Sequence, residues 1–138
     1  KGLIEDKFSP VVQNKLAEYG METVGVRCVG DDPARLTQAI LDFIEQGAEL
    51  VVCTGGMSVD PDDKTPLGIK NTGADIVSYG APGLPGCVMY AKRTIFDLVL
   101  PRLAACDPVT ADDLAALGEG GLCLNCPVCT YPNCGFGK

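Results

Sequence analysis

Residues 54–66 read Thr-Gly-Gly-Met-Ser-Val-Asp-Pro-Asp-Asp-Lys-Thr-Pro, and they follow directly on the apolar run Glu-Leu-Val-Val-Cys at residues 49–53. A short, nearly continuous apolar run is typical of a parallel strand that is buried on both faces. Paired glycines at the end of such a strand let the backbone turn sharply and bring N–H groups close to an anion. The stretch therefore predicts an anion-binding loop at the carboxyl edge of an open α/β sheet.

The sequence on either side of this loop predicts alternating strands and helices. We expect further strands at residues 22–29 and 74–79, because apolar and β-branched residues recur there. Serine, aspartate or threonine before proline is typical of a capped helix start, and the predicted helices end at glycine. These starts are Ser9-Pro10, Asp32-Pro33 and Thr65-Pro66. We expect a further helix at residues 89–105, bent or ended near Pro101. A last short helix is predicted to begin with a capping box at residues 110–113.

Composition limits the kinds of partner that the chain can have. The 138 residues suffice for one core, the net charge is −7, and there is no histidine. A negative protein repels a phosphate backbone, which argues against nucleic acid as a partner. No apolar run is long enough to span a membrane and no signal-peptide pattern opens the chain, so we expect a cytoplasmic protein that does not contact membranes. Without histidine, acid and base chemistry falls to carboxylates and other side chains.

Three carboxylates accompany the glycine loop, at Asp60, Asp62 and Asp63. Carboxylates beside an anion repel it unless a divalent cation intervenes or one of them has a chemical task. The alternative is a surface turn in which Asp63 or Thr65 caps the following helix. The residues alone leave both interpretations open.

The glycine loop resembles the motif T-G-G-x-[GS]-x-x-x-x-D-x-T-P of the molybdopterin-binding domain of molybdenum-cofactor biosynthesis proteins. Three other segments match landmarks of that family in the same order: residues 2–6 (G-x-I-x-D), residues 31–33 (D-D-P) and residues 83–86 (G-L-P-G). Four landmarks in order are far more specific than a single glycine motif. The motif positions that match in the first loop are Thr54, Gly55, Gly56, Ser58, Asp63, Thr65 and Pro66.

The resemblance implies a three-layer α/β/α sandwich with a mostly parallel sheet and a homo-oligomer, either a dimer or a trimer. It implies that Asp63 and Asp6 are the functional acids, with magnesium or molybdate nearby. The cofactor-binding residues that it implies are Thr54, Gly55, Gly56, Met57 and Ser58 of the first loop and Gly83, Leu84, Pro85 and Gly86 of the second.

The chain departs from the family pattern in three places. The family's first strand, upstream of Gly2, is absent, and the strand and hairpin that relatives have between Tyr79 and Gly83 are absent too. We expect that residues near 81–83 are missing from the sequence; a real deletion would remove one wall of the pterin site. Cys87-Val88 stands where the family usually has Asn-Pro, and Cys87 is either a soft contact to molybdenum or a small core residue.

From Gly118 onward the chain becomes rich in glycine, cysteine and proline. We place a boundary near Asp107, which gives a domain of residues 1–107 and a short helix with an irregular tail at residues 108–138. The cysteines of the tail are spaced C-x2-C-x2-C-x4-C, similar to ferredoxin iron–sulfur ligands. The spacing predicts an iron–sulfur cluster, with zinc as the rival metal. A tail with reactive thiols or internal disulfides is the alternative without metal. The ligands would be Cys123, Cys126, Cys129 and Cys134.

Two classes of function follow. The first is an enzyme of molybdenum-cofactor assembly, similar to a molybdopterin adenylyltransferase or a molybdenum transferase. The second is a non-catalytic carrier or sensor that binds molybdopterin and uses the cysteine tail for a redox partner or a cluster. Lys92 and Arg93 are either phosphate ligands or solvated surface residues.

Overall fold

A computed structural model describes residues 6–56, 63–78, 93–117 and 123–138. These residues form two compact units, which are treated separately below. Unit 1 comprises residues 6–22, 77–78, 93–117 and 123–138, and unit 2 comprises residues 23–56 and 63–76. The helices are α1 (Phe8–Ala17), α4 (Phe96–Ala104) and α5 (Ala111–Ala116) in unit 1, and α2 (Pro33–Glu45) and α3 (Thr65–Lys70) in unit 2.

The predicted strands are not formed within the described residues. Residues 22–29, 49–53 and 74–78 are irregular, and isolated bridges at Thr54 and Thr94 are the sole β-type pairing in the described ranges. An apolar sequence provides side chains suited to a strand, but a sheet also needs a neighbouring strand whose backbone hydrogen bonds are in register. Val24 and Val26, which a two-faced parallel strand would bury, are exposed. The described residues therefore do not confirm the predicted strands. Tyr79, at the end of the third predicted strand, lies outside the described residues.

Segment 23–29 instead packs on α2 within unit 2. The backbone at Gly25 approaches Phe43 so closely that an added Cβ would lie 2.9 Å from the ring atom Cε1. The guanidinium of Arg27 lies 5.3 Å from the centroid of the same ring and forms an ion pair of 2.5 Å with Asp42. This hydrogen bond, together with one from Gln38, lowers the pKa of the Asp42 carboxyl.

The two helices of unit 2 are packed in close contact. An added Cβ at Gly68 of α3 would lie 2.7 Å from Leu36 Cδ2 of α2. The hydroxyl of Thr37 lies 2.8 Å from the carbonyl oxygens of both Pro33 and Gly68, so it can link α2 to α3. Glycine at position 68 is what permits this approach, because any side chain would separate the helices.

Unit 1 has its core on α4, where Leu100 is fully buried and Phe96 and Val99 are nearly so. Asp97 lies on the same helix with a side chain that is 5% exposed. Its carboxylate pairs with Lys15 of α1, accepts a hydrogen bond of 3.0 Å from the guanidinium of Arg93, and accepts one of 2.7 Å from the Thr94 N–H. A buried charge is tolerated when it is paired and hydrogen-bonded in this way.

The predicted helix starts are confirmed where the cap is an aspartate or a threonine in extended backbone. Asp32 accepts hydrogen bonds from the N–H groups of Ala34 and Arg35. The capping box between Thr110 and Asp113 is complete, and its hydrogen bonds lower the pKa of Asp113 to about 2.

Other predicted helix boundaries moved. The first helix begins at Phe8, before Ser9, which therefore is not its cap. Helix α4 begins at Phe96, so the prediction of helix at residues 93–95 was wrong; residues 89–92 lie outside the described residues. Pro101 lies inside α4, which continues to Ala104.

No helix in the part of the chain that the structure describes has the length and apolar character needed to cross a membrane. The division at residue 107 into a domain and a tail stays a prediction.

The Asp97 cluster predicts a pH-dependent contribution to stability. Burial by itself raises the pKa of Asp97, but the hydrogen bonds from Lys15, Thr94 and Arg93 outweigh it and hold the pKa below 3.8. A lowered carboxyl pKa stabilises the fold above pH 3.8, and this stabilisation is lost as the pH falls through the folded-state value. We expect Asp97→Asn to lower the free energy of unfolding at pH 7 by about 1–3 kcal/mol, and by less at pH 3.

Urea unfolding followed by circular dichroism at both pH values measures this difference. Asp107→Asn is the control, because Asp107 forms an exposed ion pair with Arg102 and such pairs contribute about 0–1 kcal/mol. Equal losses for the two variants at pH 7 would show that the cluster contributes no more than a surface pair.

Candidate functional site

The glycine loop begins after Cys53, and its two glycines adopt backbone conformations that other residues avoid. Gly55 has φ of 80° and Gly56 has φ of 56°, both in the left-handed region. Glycine enters this region without the steric cost that a Cβ imposes. Two consecutive residues of this kind let the chain turn sharply directly after Thr54.

Two polar side chains from further along the motif lie close to Gly56. A Cβ added at Gly56 would lie 2.7 Å from Thr65 Oγ1 and 3.7 Å from Asp63 Oδ1. The hydroxyl of Thr65 and the carboxylate of Asp63 are therefore brought to one glycine, although they lie nine and seven positions after it in the sequence. Met57, Ser58, Asp60 and Asp62 lie outside the described residues.

Cys53, the residue before the loop, has a thiol of low reactivity. Burial raises the pKa of the Cys53 thiol, so the thiol stays protonated and is a poor nucleophile at neutral pH. Among the described residues, the polar side chains close to Gly56 are those of Thr65 and Asp63.

The family of this chain follows from comparison with known proteins. A family model described as "Probable molybdopterin binding domain" matches residues 1–82, which is more than half of the chain. The chain belongs to the molybdopterin-binding domain family. The resemblance that the four landmarks indicated is thus confirmed, and the first-loop motif, including Thr54, Gly55, Gly56 and Asp63, lies within the matched residues.

Individual relatives cover more than one kind of protein. A molybdenum cofactor biosynthesis bifunctional protein of Synechococcus elongatus is 36% identical over 90 residues, which cover 65% of this chain and 27% of that protein. A CinA-like protein of Mycobacterium tuberculosis is 33% identical over 64 residues, covering 46% of this chain and 15% of that protein. The chain spans at most about a quarter of the length of these relatives. No solved structure matches.

Helix α3, which follows the loop in sequence, contributes little positive charge through its N-terminus. Helix α3 has only six residues, and its N-cap residue Lys64 makes no side-chain capping bond. So short a helix carries a small macrodipole, because the dipole grows with aligned peptide units. Among the described residues, an anion at the loop would therefore depend on backbone N–H groups and on hydroxyl donors such as Thr65.

The second acid that the family pattern implies, Asp6, has a local structural role. It belongs to unit 1, and its Oδ1 atom accepts hydrogen bonds of 3.0 Å from the N–H groups of both Phe8 and Ser9. Its Oδ2 atom also accepts a hydrogen bond from the Ser9 hydroxyl. These contacts satisfy donors at the start of α1, which helix ends otherwise leave without partners.

Of the two basic residues after the second glycine loop, Arg93 is described, and it is paired with carboxylates. The guanidinium of Arg93 donates to Asp97 and lies 3.4 Å from Glu18, and these contacts raise its pKa. Lys92 and the second loop residues Gly83, Leu84, Pro85, Gly86 and Cys87 lie outside the described residues.

Sequence reasoning missed the Lys15–Asp97–Arg93 cluster. One signal was available: Asp97 is a lone acid inside the apolar run from Ile95 to Leu100. A charge in such a run is buried only when it is paired, so the run predicts nearby cations but does not tell which ones.

The four tail cysteines do not form a metal centre in the described structure. Cys126 and Cys129 are exposed, while Cys123 and Cys134 are partly covered. Within the described residues no three side chains of His, Cys, Asp or Glu are grouped so that they could hold a metal ion. Zinc or a cluster iron needs its thiolates at about 2.3 Å from the metal, and this arrangement does not provide that. The prediction of an iron–sulfur or zinc site is not supported by the geometry.

The loop geometry predicts that glycine is required at position 56 more strictly than at Gly73. Both have positive φ, 56° and 83°, but a Cβ has open space at Gly73 and meets Thr65 at Gly56. Alanine at either position carries left-handed strain of about 1–2 kcal/mol. We expect Gly56→Ala to cost roughly 1 kcal/mol more, measured by thermal unfolding. Equal losses would show that the contact with Thr65 does not constrain the loop.

Proposed function

We propose that this chain binds molybdopterin, with the terminal phosphate of the pterin on the loop of residues 54–58. The observation that supports the proposal is the closure of left-handed Gly56 against Thr65 and Asp63 in a member of the molybdopterin-binding domain family. The chain has a net charge of −7. Backbone N–H groups are suitable donors to a phosphate in such a chain, because they bind an anion without needing a cationic side chain.

Thr65 and Asp63 have different tasks in this proposal. The Thr65 hydroxyl donates a hydrogen bond to a phosphate oxygen, because a hydroxyl is a neutral donor. The Asp63 carboxylate is an acceptor that repels phosphate, so it serves a proton-bearing group of the ligand or a divalent cation such as magnesium. This division explains how an acid and an anion share one loop.

Asp6 is the second functional acid by resemblance alone, and its bonds to the start of α1 compete with that role. We propose Asp63 as the acid on which activity depends. Loss of Asp6 is then expected to act mainly through the stability of α1.

The reaction class that we propose is a step of molybdenum-cofactor assembly, either adenylyl transfer to molybdopterin or transfer of molybdenum. The relative from Synechococcus elongatus is named for molybdenum cofactor biosynthesis. The rival is a carrier or sensor that binds molybdopterin without turnover. The α/β sandwich, the second loop at residues 83–86, a dimer or trimer and a cytoplasmic location belong to the same proposal.

Removal of the Thr65 hydroxyl tests the binding role of the loop. Thr65→Val keeps the shape of the side chain and deletes the donor beside Gly56. We expect the affinity for molybdopterin to fall about tenfold, the effect of one hydrogen bond to a charged group, in equilibrium dialysis under anaerobic conditions. The control is Thr23→Val, in the same unit and exposed. If both variants bind as the unchanged protein does, the Thr65 hydroxyl does not hold the phosphate.

Removal of the Asp63 charge tests the chemical role. We expect Asp63→Asn to retain molybdopterin binding and the far-ultraviolet circular dichroism of the unchanged protein, yet to lose ATP- or molybdate-dependent conversion of bound molybdopterin. Asp75→Asn is the control, an exposed acid in the same unit. Unchanged conversion in Asp63→Asn would exclude Asp63 as the functional acid. Tight binding with no conversion by the unchanged protein would favour the carrier or sensor.

A further inference from the structure

The cysteine tail, residues 123–138, is attached to the α4 region of unit 1 at both of its ends. The Cys123 N–H donates a hydrogen bond of 2.9 Å to the carbonyl oxygen of Arg93. At the other end, Gly137 approaches α4 so closely that an added Cβ would lie 2.6 Å from Leu98 Cδ1. The tail is therefore a loop with two fixed ends and not a free extension.

The middle of this loop is open to solvent. Leu124 and Val128 are 87% and 75% exposed. Cys126 and Cys129 are exposed, whereas Cys123 and Cys134, nearer the attached ends, are partly covered. The four thiols thus differ in access, and the two accessible ones form the segment Cys-Pro-Val-Cys.

This arrangement differs from what a metal centre of four equivalent thiolates requires, and it matches what disulfide chemistry requires. Two cysteines at C-x-x-C spacing can close a short ring. Thiol–disulfide exchange needs in-line access of a disulfide to an exposed sulfur, and it is slow at covered thiols. Exposure separates Cys126 and Cys129 from the other two.

We propose that Cys126 and Cys129 are a thiol–disulfide exchange site for low-molecular-weight disulfides. One of the two thiolates attacks a sulfur of the disulfide RSSR, forms a mixed disulfide and releases RS⁻. The thiolate of the other cysteine then attacks the protein sulfur of the mixed disulfide and releases the second RS⁻. The Cys126–Cys129 disulfide forms, RSSR is reduced to two thiols, and the two cysteine protons pass to the released thiolates.

The second step is intramolecular, which sets the expected rate. A short flexible connection gives an effective concentration on the order of millimolar. At about 0.1 mM oxidised glutathione, ring closure is therefore about tenfold faster than attack of the remaining cysteine thiolate on a second molecule of oxidised glutathione. The fully oxidised product should be the internal disulfide, with little doubly glutathionylated protein.

The test incubates the full chain, reduced and treated with a chelator, with 0.1 mM oxidised glutathione (about one tenth of the effective concentration), and maps cysteines by mass spectrometry. We expect the Cys126–Cys129 disulfide to form first. Cys126→Ser and Cys129→Ser should each stop at the mixed disulfide of the remaining cysteine. Cys106→Ser is the control, because Cys106 is exposed on another segment and its loss should leave the internal disulfide unchanged.

Three outcomes would overturn the proposal. Cys126 and Cys129 could react no faster than Cys106 and form no internal disulfide. The first disulfide could join Cys123 or Cys134 instead. Metal analysis before chelation could show zinc or iron bound through Cys126 and Cys129, so tightly that exchange is blocked. None of these outcomes bears on molybdopterin binding, which is measured separately at the glycine loop.

Discussion

The carboxylate of Asp97 is the charge on which unit 1 depends. It receives Lys15 from α1, the guanidinium of Arg93 and the N–H of Thr94 at the start of α4. The carbonyl oxygen of the same Arg93 holds the first residue of the cysteine tail. One buried charge therefore fixes a helix, the start of a second helix and the attachment of a loop. A buried charge is strongly destabilising without its partners, so the arrangement that pairs it is favoured.

Unit 2 is organised by a different constraint, the close approach of backbone to side chain at glycine. Gly25 lies against Phe43, Gly68 against Leu36, and Gly56 against Thr65. The first two contacts hold segment 23–29 and α3 on α2, and the third shapes the candidate site. The candidate site and the helix packing of unit 2 therefore depend on the same feature, a glycine whose missing Cβ allows close contact.

The sequence predicted what local chemistry decides and failed where distant partners decide. The caps at Asp32 and Thr110 and the left-handed glycines of the loop depend on neighbouring residues, and the structure has them. The strand at residues 22–29 would need a neighbouring backbone that no local pattern provides. Asp97 was missed for the same reason, because Lys15 lies 82 residues away. Cysteine spacing resembled a ligand set, but spacing does not determine whether thiols converge.

The contact between Gly68 and Leu36 has a consequence for how this domain can diverge. Every amino acid that a single nucleotide change can introduce at a glycine codon carries a Cβ, and at position 68 that atom would lie within 2.7 to 3.1 Å of three Leu36 atoms. A substitution at position 68 is therefore tolerated only together with a smaller residue at position 36. The amino acids at these two positions are expected to change together and not independently. Their covariation among homologues would record the helix contact independently of any coordinates.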